Sequence, residues 1–238
     1  AIKTIIMHKL SIIVPVHNEV ATLSVVIDKI RLADSLGLLK EIIVVDDGST
    51  DGSIASLRSI ADLRIIKLPH NQGKGAAVAA GLNDASGDII MIQDADLEYD
   101  PTHYPRLLQP LLDKKTTAVY GTRFHHDFKF SRAHPLQSFT FWLGNKLLTI
   151  IFNLIFGTAL KDIETGYKVM TRSTWLKITP LRFNDFRLEP ELTAKIARNN
   201  LDITEIPISY NFRRVGKKIK YRDGWLAISA MIKLKWFK

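Results

Sequence analysis

Residues 88–100 read Asp-Ile-Ile-Met-Ile-Gln-Asp-Ala-Asp-Leu-Glu-Tyr-Asp: four apolar residues, Ile89 to Ile92, run directly into Asp94, Asp96, Glu98 and Asp100. A short unbroken apolar run closed by polar residues is the pattern of a strand buried on both faces. The acids then begin where the strand leaves the core. In an open α/β sheet, that carboxyl edge is where ligands bind. Carboxylates crowded there repel one another unless a cation joins them. Asp94-Ala95-Asp96 is therefore a candidate clamp for a divalent ion against a phosphorylated ligand.

Working outward, Leu10–Val14, ended by Pro15, and Glu41–Val45 repeat the buried-strand pattern, and Arg64–Leu68 adds another. Between them the spacing predicts an amphipathic helix over Val20–Leu36 with Gly37 as its stop. A second helix is expected from a Thr50 or Asp51 cap through Ile60, and an alanine-rich one over Ala76–Ala85. This β-loop-α alternation predicts a parallel sheet. Further on, a short helix is expected at Pro101–Leu112, a strand at Ala118–Gly121 and an apolar helix at Phe139–Phe156. Strands are expected at Lys161–Met170 and Leu201–Tyr210 around a helix at Pro190–Asn199, and a helix at Trp225–Phe237 closes the chain. No repeat or linker interrupts it.

At 238 residues with 46% hydrophobic and 24% charged content, the chain is an ordinary globular one rather than a disordered one. It has no cysteine, which removes disulfides and thiolate metal sites. Residues 1–10 are too short and too charged for the apolar core of a signal peptide, so none is expected. The longest apolar segment, 139–160, is interrupted by Asn145, Lys146 and Asn153 and falls short of an unbroken membrane span. From Ile208 to Lys238 there are nine Lys/Arg against Asp223 alone, a local +8 out of a net +9. Such a tail suits an anionic partner. A nucleic-acid-binding module lacks support, because neither a recognition motif nor an aromatic platform accompanies the charge.

Acids follow the first, second and fourth strands: Glu19, Asp46 with Asp47, and Asp94 with Asp96. All fall on one edge of the predicted sheet. Carboxylates there can accept from a base N–H or ribose hydroxyls, while a metal bridges two acids to a diphosphate. Mg2+ or Mn2+ takes few protein carboxylates and leaves its other sites to phosphate and water, which suits Asp-x-Asp. An EF-hand is excluded by the missing glycine and twelfth-position glutamate, and Gly73-Lys74-Gly75 lacks the P-loop spacing. His125, His126 and His134 are too irregularly spaced for a metal site and read as part of a basic, phosphate-facing loop.

Taken together, Ile13-Val-Pro-Val-His-Asn-Glu19, Val44-Val-Asp-Asp-Gly-Ser-Thr-Asp-Gly52, Asn71-Gln-Gly-Lys-Gly75 and Asp94-Ala-Asp96 resemble the successive signatures of family 2 glycosyltransferases. Gly121-Thr-Arg123, Asp162-Ile-Glu-Thr-Gly-Tyr-Lys168, Glu189-Pro-Glu191, and Glu205-Ile-Pro207 through Arg213, Gly216 and Lys218 are similar to the polyprenyl-phosphate branch, typified by dolichyl-phosphate mannose synthase. The resemblance implies a Rossmann-like GT-A fold, α/β with a mostly parallel central sheet and helices on both faces. It implies one catalytic domain over 1–223, with a nucleotide-sugar half at 10–100 and an acceptor half at 101–223, and an amphipathic basic helix at 224–238.

By the same resemblance, Pro15, Val16, Asn18, Glu19, Asp46, Asp47, Gly73, Lys74, Asp94, Ala95 and Asp96 bind the nucleotide sugar. Asp94 and Asp96, with Glu98 where relatives carry glutamine, meet a divalent cation, Mg2+ or Mn2+. Arg123, Arg132, Arg213 and Lys218 meet the acceptor phosphate, and Asp94, Asp96, Arg123 and Arg213 carry catalysis. The donor is GDP-mannose or UDP-glucose; Gly216-Lys217-Lys218, where mannose synthases read Gly-x-Ser-Lys, leaves that choice open. The acceptor is dolichyl or undecaprenyl phosphate, or alternatively a non-lipid glycan, protein or small molecule. A phosphate acceptor is already anionic near neutrality, with a second pKa of about 6. It needs positioning more than deprotonation. Single displacement with inversion and no obligatory base is expected, with Glu189 or Asp185 the candidate if one is needed. The apolar segments 139–156 and 225–237 with the basic tail imply peripheral attachment to the cytoplasmic face of a membrane. A separate membrane-anchoring subunit is compatible with this; nucleic acid is not expected as a partner.

Overall fold

A computed structural model of the chain describes residues 8–57, 60, 62–124, 130, 134–212 and 221–236. Strands β1 (Lys9–Val16), β2 (Leu39–Asp46), β3 (Leu63–Lys67), β4 (Ile89–Ile92), β5 (Ala118–Thr122), β6 (Lys168–Thr171) and β7 (Ile203–Pro207) form one sheet in the order β3-β2-β1-β4-β6-β5-β7. Every neighbouring pair is parallel except those of β6, which runs against β4 and β5.

The two-residue period of the strands divides the core. Ile12, Val14, Ile42, Val44, Ile89 and Met91 face one layer, with α1 (Leu23–Leu32) and α3 (Tyr104–Leu112) over them. Ile13, Ile43, Val45, Ile90 and Ile92 face the other, beneath α2 (Lys74–Asp84), α5 (Arg172–Ile178) and α6 (Leu188–Arg198). Both faces of the central strands are thus buried, which is why they read as continuous apolar runs. α4 (Pro135–Phe156) and α7 (Tyr221–Trp236) pack on α6 through Phe152, Ala194, Ala227, Met231 and Leu234. The expected mostly parallel α/β sheet with helices on both faces is what the chain forms.

Three expectations need correction. The helix expected through Ile60 is a five-residue 3-10 turn, Ser53–Leu57. Ser56 Oγ donates to the Ser53 carbonyl at 2.6 Å, a serine bond that competes with helix hydrogen bonding. The strand expected over 161–170 begins only at Lys168. Its earlier N–H groups find side chains instead of a ladder: Lys161 and Asp162 donate to Glu205 Oε1 at 2.9 and 3.1 Å, and Gly166 to Tyr99 Oη at 2.8 Å. Finally, α5 was not expected; Thr171 caps it by accepting from the Thr174 N–H at 3.3 Å.

Candidate active site

β1, β2 and β4 are parallel neighbours, so their carboxyl ends share one edge. The loops leaving them are tied together by side chain to backbone bonds. Asn18, at φ 54°, accepts from the Thr50 N–H at 2.8 Å, and its own N–H donates to Ser49 Oγ at 3.0 Å. The Glu19 N–H donates to Ser53 Oγ at 2.8 Å, and Thr22 Oγ1 donates to the Ala95 carbonyl at 2.7 Å. Asp46 accepts from the Ser49 N–H at 2.9 Å. Asp47 accepts from the N–H groups of Gln72 and Gly73 at 2.6 and 2.8 Å, holding the loop that opens α2. Pro15 and Val16 lie in β1 beside Val45 and Asp46. The sequence-predicted donor residues Pro15, Val16, Asn18, Glu19, Asp46, Asp47, Gly73, Lys74, Asp94, Ala95 and Asp96 therefore gather on one side of the sheet.

From this edge a chain of charges runs inward. Lys74 Nζ lies 2.8 Å from Asp94 Oδ1 and 2.8 Å from Glu189 Oε1, and Glu189 also accepts from Lys168 Nζ. Burial disfavours the Lys74 ammonium, yet Asp94 and Glu189 outweigh it and hold its pKa well above the ordinary lysine value. Burial likewise opposes ionised Glu189, but Lys168 and Lys74 keep its pKa below the ordinary glutamate value. Asp185, the other candidate base, pairs with Arg187 at 2.8 Å, and its pKa is also lowered. Both carboxylates are committed to cations and are poor proton acceptors.

The antiparallel strand decides what else reaches the edge. Because β6 runs the other way, the loop before it, 161–167, faces the site, whereas in the parallel strands it is the loop after. Asp162 in that loop holds Arg123 by two side-chain bonds of 2.8 Å and accepts its N–H at 3.0 Å. Arg123 also donates to Asn145 Oδ1 of α4 at 3.0 Å, and the rings of Phe124, Phe141 and Tyr210 lie 4.9, 5.2 and 5.3 Å from its guanidinium carbon. Gly166 packs on Asp94: a Cβ there would meet Asp94 Oδ2 at 2.2 Å. Beneath, Tyr104 and Tyr167 both donate to Gln93 Oε1, at 3.0 and 2.6 Å. Asp162, Glu164 and the tyrosines carry no role in the sequence reading; the spacing Asp162-x-Glu164-x-x-x-Lys168 was their only signal. Arg132, Arg213 and Lys218, like His125 and His126, lie outside the described residues.

Asp94 and Asp96 fit a divalent cation that takes one or two carboxylates and completes its shell with phosphate and water. The bare backbone of Gly166 beside Asp94 keeps that approach narrow. Among the described residues no group of three His, Cys, Asp or Glu is close enough to form an all-protein cage. Asp96 accepts from the Glu98 N–H at 3.1 Å, while Glu98 Oε2 accepts from Tyr210 Oη at 2.7 Å.

α4 is inverted for a helix on a globular protein. Its inward side carries Ser138 and Thr149, both buried, with Asn145 between them, and its outward side carries Leu136, Phe139, Leu143, Leu147, Ile150 and Leu154. Leu136 and Leu154 are 74% and 80% exposed. The helix is long and apolar enough to cross a membrane by length and composition, and only 11% of that window is buried. α7 adds exposed Trp225, Ile232 and Trp236 next to Lys233 and Lys235.

The profile described as glycosyl transferase family 2 matches residues 11–179. A dolichyl-phosphate beta-glucosyltransferase of Trichomonas vaginalis is 27% identical over 93% of this chain and 67% of its own length. A dolichol-phosphate mannosyltransferase of Mycosarcoma maydis is 28% identical over 87% of this chain and 72% of its own. Other relatives extend further still, the chain spanning 53% and 60% of two of them. Among solved structures, glucosyl-3-phosphoglycerate synthase of Mycobacterium tuberculosis with Mn2+, UDP-glucose and phosphoglyceric acid superposes with a TM-score of 0.69. It is 26% identical, over 95% of this chain and 79% of that one. The same synthase has been crystallised with Mg2+ and UDP.

Proposed function

This chain belongs to glycosyl transferase family 2, and on that footing we propose that it moves a hexose from a nucleoside-diphosphate sugar to a polyprenyl phosphate, with inversion. The observation that carries the choice of a lipid acceptor is α4. The helix that bonds Arg123 through Asn145 also presents an unbroken apolar face outward. A site and a lipid-facing surface built on one helix let a chain outside the membrane reach a phosphate whose tail stays within it. The relatives named for dolichyl-phosphate sugar transfer support the same reading.

In this reading Pro15, Val16, Asn18, Glu19, Asp46 and Asp47 frame the nucleoside, and Gly73 and Lys74 approach the diphosphate. A divalent cation held by Asp94 and Asp96 neutralises charge on the departing nucleoside diphosphate. Lys74 turns its ammonium from Asp94 toward the phosphates. Arg123, together with Arg132, Arg213 and Lys218, holds the acceptor phosphate, whose oxygen displaces the diphosphate from the anomeric carbon. The cations of this set suit bidentate phosphate recognition. Glu189 and Asp185, both paired with cations, are not needed as bases. The alternative, a small phosphorylated acceptor, is suggested by the phosphoglyceric acid in the mycobacterial synthase.

A thermal-shift panel of nucleotide sugars with and without Mn2+ tests the donor half. At 100-fold excess over Kd, the true donor stabilises the fold by about 2.7 kcal/mol, a rise in Tm of roughly 5–10 °C, and does so only with the metal. Transfer of radiolabelled sugar to polyprenyl phosphate, and not to phosphoglyceric acid, then selects the lipid acceptor. A panel without any metal-dependent shift defeats the reading.

A further inference from the structure

Glu164 is the carboxyl of the site that the pairing scheme leaves over. Lys74 is taken by Asp94 and Glu189, Lys168 by Glu189, and Arg123 by Asp162. Glu164 Oε1 is enclosed and has no hydrogen-bond partner among the described residues, although the residue as a whole is partly exposed. An ionised carboxylate there would be an uncompensated charge in a low-dielectric pocket, which costs several kcal/mol. The groups that act on it come from every side: Glu189 on α6, Lys168 on β6, Arg123 after β5, and Asp162 in its own loop. Burial first, and then the Glu189 charge, push its carboxyl up to about 7 against the pull of Lys168 and Arg123.

Position gives this group a task. Its loop reaches from Asp162, which grips Arg123, to Gly166, which packs against Asp94. Glu164 therefore stands between the acceptor-side arginine and the donor-side acid. A carboxylate at that place would repel an incoming phosphate, whereas a carboxylic acid offers it an O–H. We propose that Glu164 is kept as the neutral acid and donates its O–H to an anionic phosphate oxygen of the acceptor. This rests on the transferase reading above. It makes Glu164 an acceptor-binding residue that works by staying protonated, the opposite of a general base.

The test is the pH dependence of acceptor KM in wild type and in Glu164→Gln, which replaces the acid by a neutral amide donor of the same shape. The acceptor's own second ionisation, at about 6, is complete above pH 7.5, so an alkaline limb there reports the protein. Wild-type KM for polyprenyl phosphate should rise about tenfold per pH unit above that point, while the Glu164→Gln value stays level. The donor KM should show no such limb in either protein. Equal alkaline limbs in the two proteins, a limb in donor KM instead, or a loss of kcat by orders of magnitude in Glu164→Gln would each overturn the proposal. Should the chain turn over no sugar at all, the transferase reading fails, and infrared spectroscopy still decides Glu164. A protonated-carboxyl band absent from Glu164→Gln should be present near neutrality and persist to higher pH when short-chain polyprenyl phosphate is added. No such band, or one indifferent to the phosphate, counts against it.

Discussion

Asp162 and Arg123 show how much a single pair can do. Both are buried, and three hydrogen bonds join them. Removing one partner of such a pair leaves a lone charge in the interior, at a cost of about 3–5 kcal/mol. Asp162→Ala should therefore lower the urea midpoint steeply, and the double variant Asp162→Leu, Arg123→Met should recover part of the loss, because it removes both charges together. A single variant that unfolds at the wild-type midpoint would show that the pair is not holding the loop. Arg123 was legible in the sequence as a site residue, but its partner was not: the two are 39 positions apart, and only folding joins them. Lys74 was legible for the same reason as the acids, since it opens a helix directly after a strand. Its second partner, Glu189, lies 115 positions away and was seen only as a candidate base.

The elements that were easiest to read are those whose neighbours repeat one rule. β1, β2 and β4 are buried on both faces, run in parallel and end in acids, so apolar runs located them and the loops after them located the donor edge. β6 breaks the rule, and the loop before it escaped notice as part of a supposed strand. α4 was read as apolar, and the structure adds which side is apolar. The polar residues Ser138, Asn145 and Thr149 turn toward the protein because Arg123 and the loop backbone give them partners: Arg123 donates to Asn145, and the Ile163 N–H donates to Thr149 Oγ1 at 3.4 Å. The apolar residues are left outside. Ile150→Glu and Leu154→Glu should accordingly leave Tm close to wild type, since exposed positions change stability by within about 0.5 kcal/mol. Each should weaken flotation with anionic vesicles by about tenfold or more, from some 1.5–3 kcal/mol of lost apolar burial. Unchanged flotation of both variants would remove α4 from the lipid-facing surface.

Across the whole molecule, the nucleotide half and the acceptor half are one body. β6 sits between β4 and β5 in the sheet, and the opening of α2 presses on the segment before α6. The Ala76 N–H donates to the Asn184 carbonyl at 3.2 Å. A Cβ on Gly75 would lie 2.1 Å from the Phe183 carbonyl oxygen, and one on Gly73, at φ 100°, 2.3 Å from that of Asn184. Both obstacles are backbone and cannot swing aside. Gly75→Ala should cost about 2 kcal/mol by overpacking, a fall in Tm of roughly 4–8 °C for a chain this long. It should also weaken donor binding, because Lys74 is carried on the same turn; an unaltered Tm would mean that the contact yields freely. These two glycines also bear on heredity. Sequences descended from this one can exchange most surface residues singly, but the contact between the halves admits a new side chain at 73 or 75 only if the 183–185 turn changes with it. The seam is inherited as a unit, recorded in one half by side chains that are missing and in the other by the path of the backbone.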